Sequence, residues 1–186
     1  MNAWLSRLVL RVWNGVRERR NAQIVSAIRS SLASCGPDTV IHPSVGVVAP
    51  ENVTVGEHVL LGPGVWISAV NTRIAIGSHV MTAPQVALVA GNHNTSVLGR
   101  FMDEVEEKRP EDDEPIVVED DVWLGLRAIV LKGVTVGRGQ LSPRVPSSCV
   151  TFLRTRSSPA FPRESSARGS RSRRSSDTNV LSTVAC

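Results

Sequence analysis

The residues best suited to chemistry at neutral pH are four histidines, His42, His58, His79 and His93, and three cysteines, Cys35, Cys149 and Cys186. A neutral imidazole can take a proton from a weak nucleophile near pH 7. The cysteines are scattered, with neither a pairing rhythm nor zinc-ligand spacing, and neither Cys35 nor Cys149 has a base-and-nucleophile context. The histidines have no metal-ligand spacing either, so no metal is expected. His93 stands apart because it closes an ordered apolar stretch just before a long polar insertion. His42, His58 and His79 read as ordinary corner or surface residues.

The element that must position His93 is an internal repeat of six residues. Stepping by six gives Val55-Gly56, Leu61-Gly62 and Ile67-Ser68, then, after three extra residues at 73–75, Ile76-Gly77, Thr82-Ala83 and Leu88-Val89. An insertion at 94–117 follows, and the period resumes at Val118-Glu119, Leu124-Gly125, Val130-Leu131 and Val136-Gly137. Four residues after most of these anchors lies a second small or branched apolar residue: Val59, Val65, Val80, Val86, Val122, Ala128 or Val134. A period of six fits neither a helix nor a simple half-buried strand. It fits short strands separated by tight corners, three to a coil, with one principal inward side chain each and stacked coils sharing a core. Glycine after the anchor is expected to let the backbone turn. Coils are expected at 55–72, 76–93 and 118–135, with a less regular one at 37–54 and a fourth beginning at Val136. Asn71 and Asn92 stand where an inward valine would otherwise be; the sequence does not say whether they face in or out.

This pattern resembles the hexapeptide-repeat acyltransferases, which build a left-handed parallel β-helix, and within them the sugar O-acetyltransferase branch. The resemblance covers roughly residues 41–139. It is carried most specifically by Ile76-Gly77-Ser78-His79-Val80, Ala90-Gly91-Asn92-His93, Val118-Glu119-Asp120-Asp121-Val122-Trp123-Leu124-Gly125 and Ile129-Val130-Leu131-Lys132-Gly133-Val134-Thr135-Val136-Gly137. It implies an all-β fold and acetyl-CoA as co-substrate. The acceptor would be a hydroxyl of a carbohydrate or surface-glycan precursor, and His93 would be the general base. It also implies acyl-CoA contacts at Trp123, Gly125 and Leu126. Gly64 aligns with an asparagine used near the acceptor, and Asn92 and Asn94 flank His93 where many relatives have a small residue and a proline. These three are the candidate substrate-binding positions. Related enzymes are homotrimers with sites between subunits, so a trimer is implied if the terminal coil is intact. Acyl transfer to an amino-sugar nitrogen or to serine is the nearest enzymatic alternative, and a noncatalytic or inactive β-helix scaffold is the other.

Residues 1–36 form a separate segment, helical over 4–33, with Gly36-Pro37 as a stop and Gly15 as a weak point. Trp4, Leu5, Leu8, Val9, Val12, Trp13 and Val16 make one apolar stripe beside Arg7, Arg11, Arg17, Arg19 and Arg20. Such a helix packs on the domain or a sister subunit, or lies at a membrane surface through residues 4–20. No apolar run is long enough to span a bilayer, and a cytoplasmic location, peripheral at the inner face of the membrane in the second case, is expected.

The repeat occupies 37–140, and beyond it the character changes. Residues 1–140 carry 13 Lys and Arg against 15 Asp and Glu, whereas 141–186 carry 8 Arg against 2 acids together with 12 serines. The basic pI therefore belongs to an irregular tail, and nucleic acid is not an expected partner. A frameshift near Gly139-Gln140 is a concrete explanation. One permitted set of codons for Gln140 through Glu164, read one base earlier, spells AVVAAGAVVVRDVPPYSIVAGIPAR, which continues the period of six and resembles the family's ending.

Overall fold

The computed structural model describes residues 3–139 and two short strands, Val150–Leu153 and Ser182–Ala185. Helix α1 (Ala3–Ser31) is continuous. Gly15 costs about 1 kcal/mol against alanine but does not divide it. The helix stops five residues before Gly36-Pro37, where Ser30 and Ser31 turn their hydroxyls back onto the carbonyls of Ala27 and Ile28 and so compete with the ladder. Its C-terminal part is anchored: Val25 and Ile28 pack on the core, Leu32 just beyond is buried, and Arg29 donates to the carbonyls of Gly36 and Thr39. Earlier in the helix, Val12, Trp13 and Val16 are not packed on the domain, being 60%, 65% and 58% exposed.

The strands form three sheets. The first contains β1 (Ser34–Cys35), β4 (Val53–Val55), β7 (Ile74–Ile76), β10 (Ile116–Val118) and β13 (Thr135–Val136). The second contains β2 (Val40–Ile41), β5 (Leu60–Leu61), β8 (Met81–Thr82) and β11 (Trp123–Leu124). The third contains β3 (Gly46–Val48), β6 (Trp66–Ser68), β9 (Ala87–Val89), β12 (Ile129–Leu131), β14 (Val150–Leu153) and β15 (Ser182–Ala185). Among the described strands, pairing between coils is parallel and β15 alone runs antiparallel, against β14. The chain visits the sheets in rotation, which is the left-handed parallel β-helix expected from the repeat.

Every anchor from Val55 to Val136 is buried, and so is every second-position residue from Val59 to Val134. Thr82 is the one polar anchor, and it is satisfied: its hydroxyl donates to Leu60 O at 3.1 Å and accepts from Gly62 N at 2.9 Å.

Four expectations need correction. The three extra residues precede 73–75, because Ile74 and Ala75 already pair with Val53 and Thr54 in the first sheet. The insertion ends at Pro115, since Ile116 and Val117 belong to β10. The β-helix starts at Ser34, inside the segment read as helical, because β1 pairs with β4. Glycines following the anchors do not supply the turn. The left-handed backbone falls later in each corner, at Asp38, His58, His79 and Asp121 on one edge and at Gly64, Gln85 and Arg127 on the next. Gly36, Gly56 and Gly77 serve close stacking instead. A Cβ on Gly56 would lie 2.7 Å from the Gly77 carbonyl carbon, and one on Gly36 would lie 2.6 Å from the Gly56 oxygen. Gly56→Val should therefore lower stability by roughly 1–3 kcal/mol, read as a lower urea midpoint. An unchanged midpoint would show that the coils can separate at that edge without cost.

Two strands fall within the tail read as irregular. Strand β14 pairs with β12, matching Val130 to Leu153 rather than to the residue eighteen positions on, the spacing by which Val118 meets Val136. The other residues of 141–186, with Cys149 and Cys186, lie outside the described residues.

Candidate functional site

His93 sits where the third sheet turns toward the first. After β9, Ala90 is buried and Gly91 forms an antiparallel bridge to Asp113, so both ends of the insertion leave the coil together. Asn92 and Asn71 face outward, which settles their orientation. Asn92 Oδ1 accepts the His93 amide at 2.9 Å, and Asn92 N donates to Asp112 O at 2.8 Å. The His93 imidazole is exposed and makes no hydrogen bond among the described residues, so either nitrogen is open to an incoming hydroxyl.

The platform beneath it is tied down by a charged pair that the sequence did not single out. Asp113, with its side chain only 9% exposed, meets Lys108 Nζ at 3.1 Å and Asn71 Nδ2 at 3.3 Å, and Lys108 also donates to the Asn92 carbonyl. Gly91 makes room for this carboxylate, since a Cβ there would lie 2.6 Å from Asp113 Oδ1. The readable signal was Gly91 next to Asn92-His93; its partner lies across the insertion and has no fixed spacing.

Asn94, expected to touch the acceptor, is buried, and its amide is used within the loop. Its oxygen accepts from Ser96 N and Oγ at 3.0 and 2.7 Å, and its nitrogen donates to Glu107 O at 3.1 Å. It pins the insertion and does not face a ligand. Farther along, Asp112 is buried and receives Arg109 N at 2.9 Å, Nε at 3.3 Å and a terminal nitrogen at 2.9 Å. The Arg109 side chain, then its amide, hold that carboxyl down to about 2. A carboxyl depressed on folding contributes stability above its unfolded value of about 4 and loses it as pH falls through the folded one. The insertion should stay anchored at neutral pH and loosen only between about pH 4 and 2, whereas Asp112→Asn should loosen it at neutral pH. Hydrogen exchange over 94–112 checks this, and protection unchanged in the variant would contradict it.

The other predicted residues lie elsewhere. Trp123 projects from the second sheet, 40% exposed, in register with Met81, which is in turn in register with Leu60 and Leu60 with Val40. This apolar ladder and the corner prolines Pro43, Pro63 and Pro84 line a groove of about 470 Å³. Gly125 is buried, Leu126 is 38% exposed and Gly64 has φ 68°, all at the corner from the second sheet to the third. Trp66, on the face between that corner and His93, is 49% exposed and stacks over Gly46, where a Cβ would lie 2.5 Å from its ring. The doublets Val40-Ile41, Leu60-Leu61, Met81-Thr82 and Trp123-Leu124 were the readable sign of the ladder.

The predicted residues thus form two groups on different edges of a triangular prism, and a single chain does not bring them together. His58 and His79 stack at 5.0 Å on the remaining edge, with Asp38 3.9 Å from His58. Among the described residues no cluster of His, Cys, Asp and Glu is suited to a metal ion.

No family profile and no curated protein matches the chain. Among solved structures it is similar to a hexapeptide-repeat-containing acetyltransferase from Vibrio cholerae O1 biovar eltor complexed with acetyl coenzyme A. Identity is 22% and the TM-score 0.56, over 70% of this chain and 72% of the other. A second crystal structure of the Vibrio cholerae acetyltransferase gives 21% identity and a TM-score of 0.50, over 71% and 75% of the two chains. These likenesses show the fold.

Proposed function

We propose that the chain is built to move an acetyl group from acetyl-CoA to a hydroxyl of a carbohydrate or surface-glycan precursor. The observation that carries this reading is the open imidazole of His93, fixed by its backbone to a coil end, on a fold whose solved likeness holds acetyl coenzyme A. His93 takes the hydroxyl proton as that oxygen bonds to the thioester carbonyl carbon. The tetrahedral intermediate then collapses, the carbon–sulfur bond breaks, and the imidazolium returns its proton to the leaving CoA sulfur. No enzyme-bound acyl group is required. The donor places the reaction in the cytoplasm.

The separation of His93 from the Trp123 groove supports a site shared between copies. His93 and Asn92 of one chain face the acceptor, while Trp123 and Leu126 of the next flank the pantetheine arm around the corner that the buried Gly125 forms, as in a closed trimer. Gly64, on the same corner, borders the shared cleft.

Residues from Gln140 onward come, in this reading, from a shifted frame. The displaced register of β14 supports the second reading, a chain that keeps the scaffold but turns over weakly for want of its regular last coil. Thiol release from acetyl-CoA, measured over a panel of sugars, amino sugars and serine, tests the activity. Release with hydroxyl sugars supports the proposal, and release with amino sugars or serine alone would reassign the acceptor.

A further inference from the structure

We infer that the first half of α1 is a docking helix for an anionic membrane surface. Residues 4–20 extend roughly 25 Å, and the described side chains from Arg11 to Arg20 are exposed except for the half-buried Gly15 position. Helical spacing places Trp4, Leu5, Leu8, Val9, Val12, Trp13 and Val16 on one half of the surface. Arg7, Arg11, Arg17 and Glu18 lie on the other half, and Arg19 and Arg20 close the apolar stripe. Five arginines face a single acid, Glu18, along this stretch.

Charge identifies the occupant. A second copy of the helix would bring the same arginines together, whereas anionic headgroups are complementary to them. Tryptophans bordering a cationic face suit the boundary between headgroups and acyl chains. No helix among the described residues is long and apolar enough to cross a membrane, so the arm lies on the surface. The domain holds the helix by Val25, Ile28, Arg29 and Leu32, leaving Val12, Trp13 and Val16 of the stripe exposed.

The test is co-sedimentation of the full chain with vesicles of phosphatidylcholine alone or mixed with phosphatidylglycerol, at low and high salt. Binding to the mixed vesicles only, weakened by salt, is expected. Each arginine contributes roughly fivefold in partitioning, so Arg7→Glu with Arg11→Glu should reduce binding at least twenty-five-fold, and Trp13→Glu should abolish the blue shift of tryptophan emission. Because the tail is also basic, binding that survives these helix variants would overturn the inference. So would equal binding to both vesicle types, no binding to either, or self-association lost in the same variants.

Discussion

His93→Ala in the frame-restored chain should lower the rate of CoA release by roughly 10²–10⁴-fold, the range that a positioned general base contributes. The fold should survive. The imidazole is exposed and makes no hydrogen bond among the described residues, so its loss opens no cavity and strands no buried partner. The effect should fall on kcat more than on KM, because the imidazole acts as the proton moves rather than when the acceptor binds. Turnover within a few-fold of the unsubstituted chain, with an unchanged unfolding midpoint, would remove His93 from the mechanism.

Restoring the upstream frame from Gln140 should have the second largest effect, on both stability and turnover. The restored string places Ala, Val, Ala, Val and Val at the next five inward positions of the repeat. Three more buried valines, at roughly 1.5–3 kcal/mol each, add on the order of 5 kcal/mol of apolar burial before the entropy of ordering is subtracted. A further coil also covers the strand edges at β11 and β13, which end their sheets among the described residues. The restored chain should unfold at a higher urea concentration and form a trimer with higher turnover. A restored chain no more stable or active than the original would show that the basic tail is the proper ending.

The core was legible because inward positions obey one rule. Each anchor faces a closed interior, so the period alone names Leu61, Ile67, Leu88 and Leu124 as buried. Corners follow a looser rule. Extra residues bulge outward at little cost, so the sequence misplaced those before Ile74 and set the end of the insertion beyond Pro115. Glycine was read by conformation where clearance decides: Gly56 meets the backbone of the next coil, while His58 carries the left-handed φ of 54°.

At the site, the place of His93 at a coil end before the insertion was readable. Lys108 and Asp113 were not, because their meeting depends on how the loop folds back over Gly91. Nor does a period of six say which outward residues share an edge, and so the distance between His93 and the Trp123 groove emerged only from the sheet order.

That separation is the basis of the account and can be measured directly. Frame-restored chains carrying either His93→Ala or Trp123→Glu are to be mixed after mild unfolding, refolded together and assayed for CoA release, once each alone has been shown to assemble. If neighbouring copies share each site, two nearly inactive proteins should recover about a quarter of full turnover, the share of interfaces in a closed cyclic trimer that pair an intact His93 with an intact Trp123. A mixture no more active than its two components would contradict the shared site.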